Sequence, residues 1–214
     1  MSIEVHGFTV GPVQENSYIV VGPSGSECVI VDPGDESERL LSAFDDLGVE
    51  CRAILLTHTH FDHVGAVAPI AKATGAEVWC PEIEIPVLAN IMDFVPWPGF
   101  GPFESWNAEH TISGGEILSL AGMEIGVEST PGHSPGHVTF VFDGGSKLLS
   151  GDVLFQGSVG RVDLPGGDGP TLIRSIAELL GKYPDDSVVH PGHGPLTTLG
   201  AERATNPFLQ SISA

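Results

Sequence analysis

The chain has 214 residues, enough for one domain with a sizeable core or two small ones. Eight basic against 28 acidic side chains give a formal charge of −20, which repels phosphate backbones and anionic lipid surfaces and so excludes nucleic acid and membranes as partners. A mean hydropathy of +0.16 with 41% hydrophobic residues excludes a disordered acidic tail.

In chain order, short β-rich runs at 3–10, 17–21 and 28–31 are separated by Gly, Pro and Asn turns. Leu40, Leu41, Phe44 and Leu47 recur at helical spacing, so 35–47 is predicted as a helix. Residues 52–56 form a nearly all-apolar strand, 64–74 an alanine-rich helix and 77–80 a strand. From 81 to 109 prolines and glycines argue against regular structure, while Phe94, Trp97, Phe100, Phe103 and Trp106 favour burial. That stretch reads as a long loop, either an apolar wall over a site or aromatics folded down as local core. Strands follow at 116–120, 123–129, 138–142 and 147–150, then a helix at 172–180 starting near Asp168 or Thr171, and a last strand at 187–190. Strands and helices alternate without a break in composition, which predicts a single α/β domain over 1–214.

Cys28, Cys51 and Cys80 are odd in number, widely spaced and set in apolar runs, with no C-x-x-C. They are expected to be buried small hydrophobes rather than a disulfide framework or a thiolate metal knuckle. The start, Met1-Ser-Ile-Glu-Val-His6, has no basic or long apolar region, and no stretch approaches about 20 apolar residues. A cytoplasmic protein is expected.

Chemistry concentrates in the histidines. Thr57-His58-Thr59-His60-Phe61-Asp62-His63 puts three histidines and one aspartate at the end of an apolar strand. Burying so many polar rings without partners is costly, whereas zinc, iron and manganese take imidazole and carboxylate donors. In extended backbone His58 and His60 point the same way, and a turn can aim Asp62 and His63 elsewhere, an arrangement suited to two adjacent metals. Three more motifs follow predicted strands: Thr130-Pro-Gly-His133-Ser-Pro-Gly-His137, Ser150-Gly-Asp152 and His190-Pro-Gly-His193-Gly. Gly and Pro beside a polar residue fix tight turns and let the backbone approach closely.

Through H-x-H-x-D-H, T-P-G-H, S-G-D and P-G-H-G the sequence resembles the metallo-β-lactamase superfamily over nearly its whole length. Within it, the chain is most similar to short bacterial glyoxalase II-like hydrolases. Pro131-Gly-His-Ser-Pro-Gly-His137, Ser150-Gly-Asp-Val-Leu-Phe155, Val159-Gly-Arg161 and Asn206-Pro-Phe-Leu-Gln210 carry that likeness. The resemblance implies an αββα sandwich, with two mixed β-sheets packed face to face and helices outside. It also implies two divalent metal ions, Zn2+ with Fe or Mn as alternatives. His58, His60 and His133 would bind the first ion, Asp62, His63 and His193 the second, and Asp152 would bridge them. His137 and His190 are expected to support the site rather than bind metal. His6 and His110 carry no motif.

The implied chemistry is attack on an acyl carbon by a hydroxide that the two ions share, since they lower the pKa of water from about 15.7 to roughly 7. Asp62 and Asp152 would be the catalytic carboxylates. Glyoxalase II activity would cleave an S-(2-hydroxyacyl)glutathione thioester. Arg161 is the candidate anchor for a substrate carboxylate, with a local ion pair to Asp163 or Asp168 as the competing role. The C-terminal helical domain of classical glyoxalase II enzymes is not expected, which leaves the thiol open. Two alternatives remain on the same residues. One is a persulfide dioxygenase with a single iron on His58, His133 and Asp152; the other is a lactonase or other ester hydrolase.

Overall fold

The computed structural model describes residues 3–95 and 97–210. Met1 and Ser2 of the N-terminal segment, Pro96 of the aromatic loop and residues 211–214 lie outside them. The chain divides into two compact units, 1–112 with 119–123, and 113–118 with 124–214.

The first unit is built on β1 (Glu4–Val10), β2 (Glu15–Val21), β3 (Glu27–Val31), β4 (Glu50–Leu55), β5 (Glu77–Pro81) and β6 (His110–Ile112). They lie side by side in sequence order. β1 to β3 pair antiparallel, and β3 to β6 pair parallel, so the sheet is mixed. Every residue of β2 is buried, which is why Tyr18-Ile-Val-Val reads as a continuous apolar run rather than an alternating one. Helix α1 (Ser37–Leu47) buries Leu40, Ala43 and Phe44 and stops at Gly48, whose φ of 67° closes the C-terminus in the left-handed conformation. Ile19, Ile30, Leu40, Ile54 and Ile70 centre one apolar cluster.

The predicted helix at 64–74 is instead two pieces, α2 (Phe61–Val64) and α3 (Val67–Thr74). The break falls at Gly65, where an added Cβ would lie 2.3 Å from the Gly34 carbonyl and 2.9 Å from the Phe103 ring. Close packing, not helix propensity, sets that boundary. The stretch after β5 is also more regular than expected. It holds 3-10 turns at Glu82–Glu84 and Ile91–Phe94 around the short helix α4 (Ile85–Leu88) and is irregular only from 97 to about 109. The aromatics divide: Phe103 and Trp106 pack on the core, while Phe94 and Trp97 are exposed.

The other sheet, carried mostly by the second unit, is made of β7 (Ile117–Leu120), β8 (Met123–Ser129), β9 (Val138–Phe142), β10 (Lys147–Gly151), β13 (Val188–Pro191) and β14 (Thr197–Thr198). The strand order is β14-β13-β10-β9-β8-β7. β10 and β13 are parallel, and β8/β9, β9/β10 and β13/β14 are antiparallel. A small ribbon, β11 (Leu154–Phe155) with β12 (Ser158–Val159), follows β10. Helix α5 (Gly169–Lys182) buries Leu172, Ile176, Leu179 and Leu180, and its N-cap Asp168 accepts the Thr171 N–H. The sequence pattern did not show β14 or α6 (Leu199–Thr205), since two strand residues make no period. All three cysteines are buried and free. Among the described residues no helix is long and apolar enough to cross a membrane.

Candidate metal centre

In the first unit the histidine string sits just beyond the C-terminal end of β4. Its parallel neighbour β3 ends at Val31, in register with Leu55, so Asp32 and Thr57 meet just past the paired strands. Asp32 accepts the Thr57 N–H at 2.7 Å and the Thr57 hydroxyl at 2.6 Å. With its proton given to Asp32, Thr57 Oγ1 accepts Nδ1–H of His58 at 3.0 Å. Asp32 also receives Nδ1–H of His63 at 3.0 Å. Both rings therefore turn an Nε2 lone pair forward. The Nε2 of His58 lies 3.1 Å from His60 Nδ1, and that of His63 lies 3.9 Å from Asp62 Oδ2.

His58 and His63 are fully buried, and His60 and Asp62 are half-buried. Thr59, between two of the histidines, is held by a 2.8 Å bond from its hydroxyl to the Glu84 carboxylate. Behind His63 lies Glu15, also fully buried, with one oxygen 3.8 Å from His63 Nδ1 and the other accepting the Ser17 hydroxyl. Burial pushes the Glu15 carboxyl well above the usual carboxylate range.

The second unit arranges its residues by the same rule. β10 and β13 run parallel with Gly151 paired to Pro191, so Asp152 and His193 emerge together. His133 sits in the turn between β8 and β9. Gly132 there has a φ of 134°, and an added Cβ would lie 2.3 Å from Leu172 N, so the turn seats on the start of α5. His133 Nδ1–H donates to the Arg161 carbonyl at 2.7 Å, which again leaves Nε2 as a lone pair. That lone pair is 3.4 Å from Asp152 Oδ2, and His193 Nε2 is 3.6 Å from the same oxygen.

His137 has both nitrogens occupied: Nε2 accepts the Asp152 backbone N–H at 3.1 Å, and Nδ1 bonds Thr130 Oγ1. It holds Asp152 in place. Gly160 packs against the other side, where a Cβ would lie 1.9 Å from the Asp152 carbonyl. Gly160→Ala is therefore expected to displace Asp152. A misplacement near 1 Å costs about 10²-fold in kcat/KM, and wild-type kinetics from that variant would contradict the packing.

His190, on β13, is buried, and its pKa is lowered to about 4 by that burial and secondarily by Lys147. The unfolded chain binds this proton more readily, so the stabilising effect is complete above about pH 6.5 and is lost as pH falls toward 4. The full window is worth about 3 kcal/mol. Urea unfolding of the metal-free protein at pH 7 and 4.5 should show a smaller pH difference in His190→Gln than in wild type. Arg161, by contrast, is exposed, and its guanidinium makes a two-pronged pair with Asp163 at 2.7 and 2.8 Å.

Imidazole nitrogens and carboxylate oxygens converge there at 3–4 Å, an arrangement that a positive charge among them stabilises. Imidazole and carboxylate are the donors that zinc, iron and manganese accept, and each histidine whose Nδ1 is tied to a neighbour is already oriented as a ligand. The first unit thus offers His58, His60, Asp62 and His63, and the second His133, Asp152 and His193. Asp32 lies near His58 and His63 too, but its oxygens are spent on Thr57 and His63. The sequence reading missed Asp32, Thr57 and Glu15. The signal for Asp32 was present in Val31-Asp-Pro-Gly34, a strand end with the same Pro-Gly grammar as the other motifs.

The family model described as "Metallo-beta-lactamase superfamily" matches residues 10–193. The chain is 37% identical over 220 residues to hydroxyacylglutathione hydrolase GloC of Haemophilus influenzae, covering 100% of both chains. Among solved structures, the BLEG-1 B3 metallo-beta-lactamase superposes with a TM-score of 0.90 at 37% identity, covering 97% of this chain and 100% of that one. TTHA1623 in a di-iron-bound form gives 0.85 at 44% identity, covering 96% and 100%. With its two mixed sheets, its helices and its His/Asp clusters, the chain belongs to the metallo-β-lactamase superfamily.

Proposed function

We propose that the protein is a metal-dependent hydrolase of thioesters of the S-(2-hydroxyacyl)glutathione type. His58, His60, Asp62, His63, His133, Asp152 and His193 would hold two divalent ions. Asp152 carries the assignment, since one of its oxygens lies between two imidazole nitrogens at 3.4 and 3.6 Å. A single-iron oxygenase needs His58, His133 and Asp152 only; His193 on the same carboxylate oxygen and the adjacent Asp62 and His63 would be idle. The thioester class is supported by the 37% identity to GloC over the whole chain. We take zinc as the metal; the di-iron form of TTHA1623 makes iron the chief competitor. Three free cysteines suit the reducing cytoplasm, where we place the protein.

When bound, the ions supply Lewis acidity and a hydroxide near neutral pH. The protein's part is to orient. Asp62 directs the attacking water, and Asp32 with Thr57 keeps His63 and His58 from rotating. His137 and Gly160 keep Asp152 in place. The water oxygen bonds to the acyl carbon, the C–S bond breaks, and the thiolate leaves and takes up a proton. Arg161 exchanges Asp163 for a substrate carboxylate, which costs little because exposed ion pairs are weak.

Three assays on zinc-loaded and iron-loaded protein test the reading: thiol release from S-lactoylglutathione, opening of a lactone, and oxygen consumption with glutathione persulfide. Thiol release as the fastest reaction is expected. Lactone opening well above it moves the function to ester hydrolysis, and oxygen consumption with iron alone overturns hydrolysis.

A further inference from the structure

Phe61 stands between His60 and Asp62 in the chain, so whatever touches its ring is one residue from two of the proposed ligands. It is the hub of an aromatic cluster in the first unit. Phe100 meets it edge-on at 5.0 Å between centroids, Trp97 edge-on at 5.7 Å, and Phe103 stacks on it at 5.8 Å. The base of the cluster is fixed. Phe103 packs down on Gly65, the Trp106 backbone N–H donates to the Leu88 carbonyl at 3.1 Å, and Glu104 pairs with Lys72 of α3. The outer part is open to solvent: Trp97 is 40% exposed, and Phe61 and Phe100 are half-buried. A small apolar surface is therefore anchored beneath and uncovered above, built on the residue that separates His60 and Asp62 in the chain.

Its charge setting says which part of a thioester it suits. The glutathione portion carries two carboxylates and an ammonium and needs cations or polar partners. The nearest cation along this loop, Lys72, is already paired with Glu104. Arg39, Arg52, Lys147, Lys182 and Arg203 are likewise each paired with a carboxylate, Arg174 donates to the Thr171 hydroxyl, and Arg161, in the second unit, is the cation assigned above to a substrate carboxylate. An uncharged aromatic face on a chain of charge −20 suits an uncharged apolar group. Both the acyl substituent and the sulfur are bonded to the carbonyl carbon of a thioester; of the two branches, the acyl substituent is the one that can be uncharged and apolar.

We propose that Phe61, Trp97 and Phe100 form an apolar subsite for the acyl substituent, so that the enzyme favours 2-hydroxyacyl thioesters with an aromatic or bulky acyl group over lactoyl. The proposal rests on the thioester reading above. The reaction for an aromatic substrate is S-mandeloylglutathione plus water giving mandelate and glutathione, with the C–S bond broken and a C–O bond formed. A phenyl in place of a methyl adds apolar and ring-to-ring contact with Trp97 and Phe100, worth about tenfold or more in kcat/KM.

The experiment compares kcat/KM for S-mandeloylglutathione and S-lactoylglutathione in the metal-loaded protein, in Trp97→Ala and Phe100→Ala, and in Ile83→Ala as an exposed control away from the cluster. The subsite predicts a ratio of about ten or more in wild type and in Ile83→Ala, falling toward one in the other two. A wild-type ratio near one, or a ratio that Trp97→Ala leaves intact, overturns it while the thioester reading stands. If neither thioester is cleaved, that reading fails, and fluorescence still decides the subsite. Saturable quenching by mandelate but not by lactate, abolished in Trp97→Phe, supports it; no quenching by mandelate overturns it.

Discussion

Replacing Asp152 by alanine is expected to lower kcat/KM by about 10³-fold or more, the several kcal/mol that a metal-activated nucleophile contributes. The size follows from position. One Asp152 oxygen faces both His133 and His193, so its removal takes a donor from both proposed ions at once. Loss of a donor from one ion alone would lower affinity there and leave the other intact. The fold should tolerate the change, because the backbone N–H of residue 152 can still donate to His137. Unfolding by circular dichroism should thus be near wild type without metal, while bound metal measured after dialysis falls. Retained activity with full metal content would remove Asp152 from the site.

Asp32→Ala is the second large effect, and it works in the opposite way. Asp32 accepts three bonds in a fully buried setting, two from Thr57 and one from His63, and its own backbone holds a φ of 49°. Alanine leaves these donors without an acceptor. Breaking such a buried cluster costs about 3–5 kcal/mol, which lowers Tm by roughly 10 °C for a chain of this size. The His63 ring is also freed to rotate, and loss of such an orienting partner costs about 10–100-fold in metal affinity. Calorimetry and a zinc titration on the same sample measure both. A Tm shift under a few degrees with wild-type affinity would show that Asp32 is not what holds the ring.

The candidate donors were legible as candidates because their pattern is written locally. His58, His60, Asp62 and His63 are adjacent in sequence, and Asp152 and His193 each follow a short apolar strand with glycine beside them. Their orientation was not legible. Asp32 becomes important only because β3 and β4 are parallel and in register, which brings two strand ends 25 residues apart together. His137 reads from sequence as a supporting residue, but that it grips the backbone N–H of Asp152 depends on β9 and β10 pairing.

Most strands were visible as apolar runs between turn residues, with ends moved by one or two positions. The helix predicted at 64–74 failed because Gly65 is set by contact with Gly34 and Phe103, which no periodicity records. The loop after β5 held the opposite surprise. Its 3-10 turns and the short α4 are too brief to show a period, and its aromatics are neither all wall nor all core.

The most direct test of a dinuclear thioester hydrolase is the number of metal ions per chain, measured by native mass spectrometry on active protein during titration with zinc. Two ions per chain are predicted, with thiol release from S-lactoylglutathione reaching its maximum only as the second binds. Full hydrolytic activity at one ion per chain, or a chain that never takes a second, would contradict it.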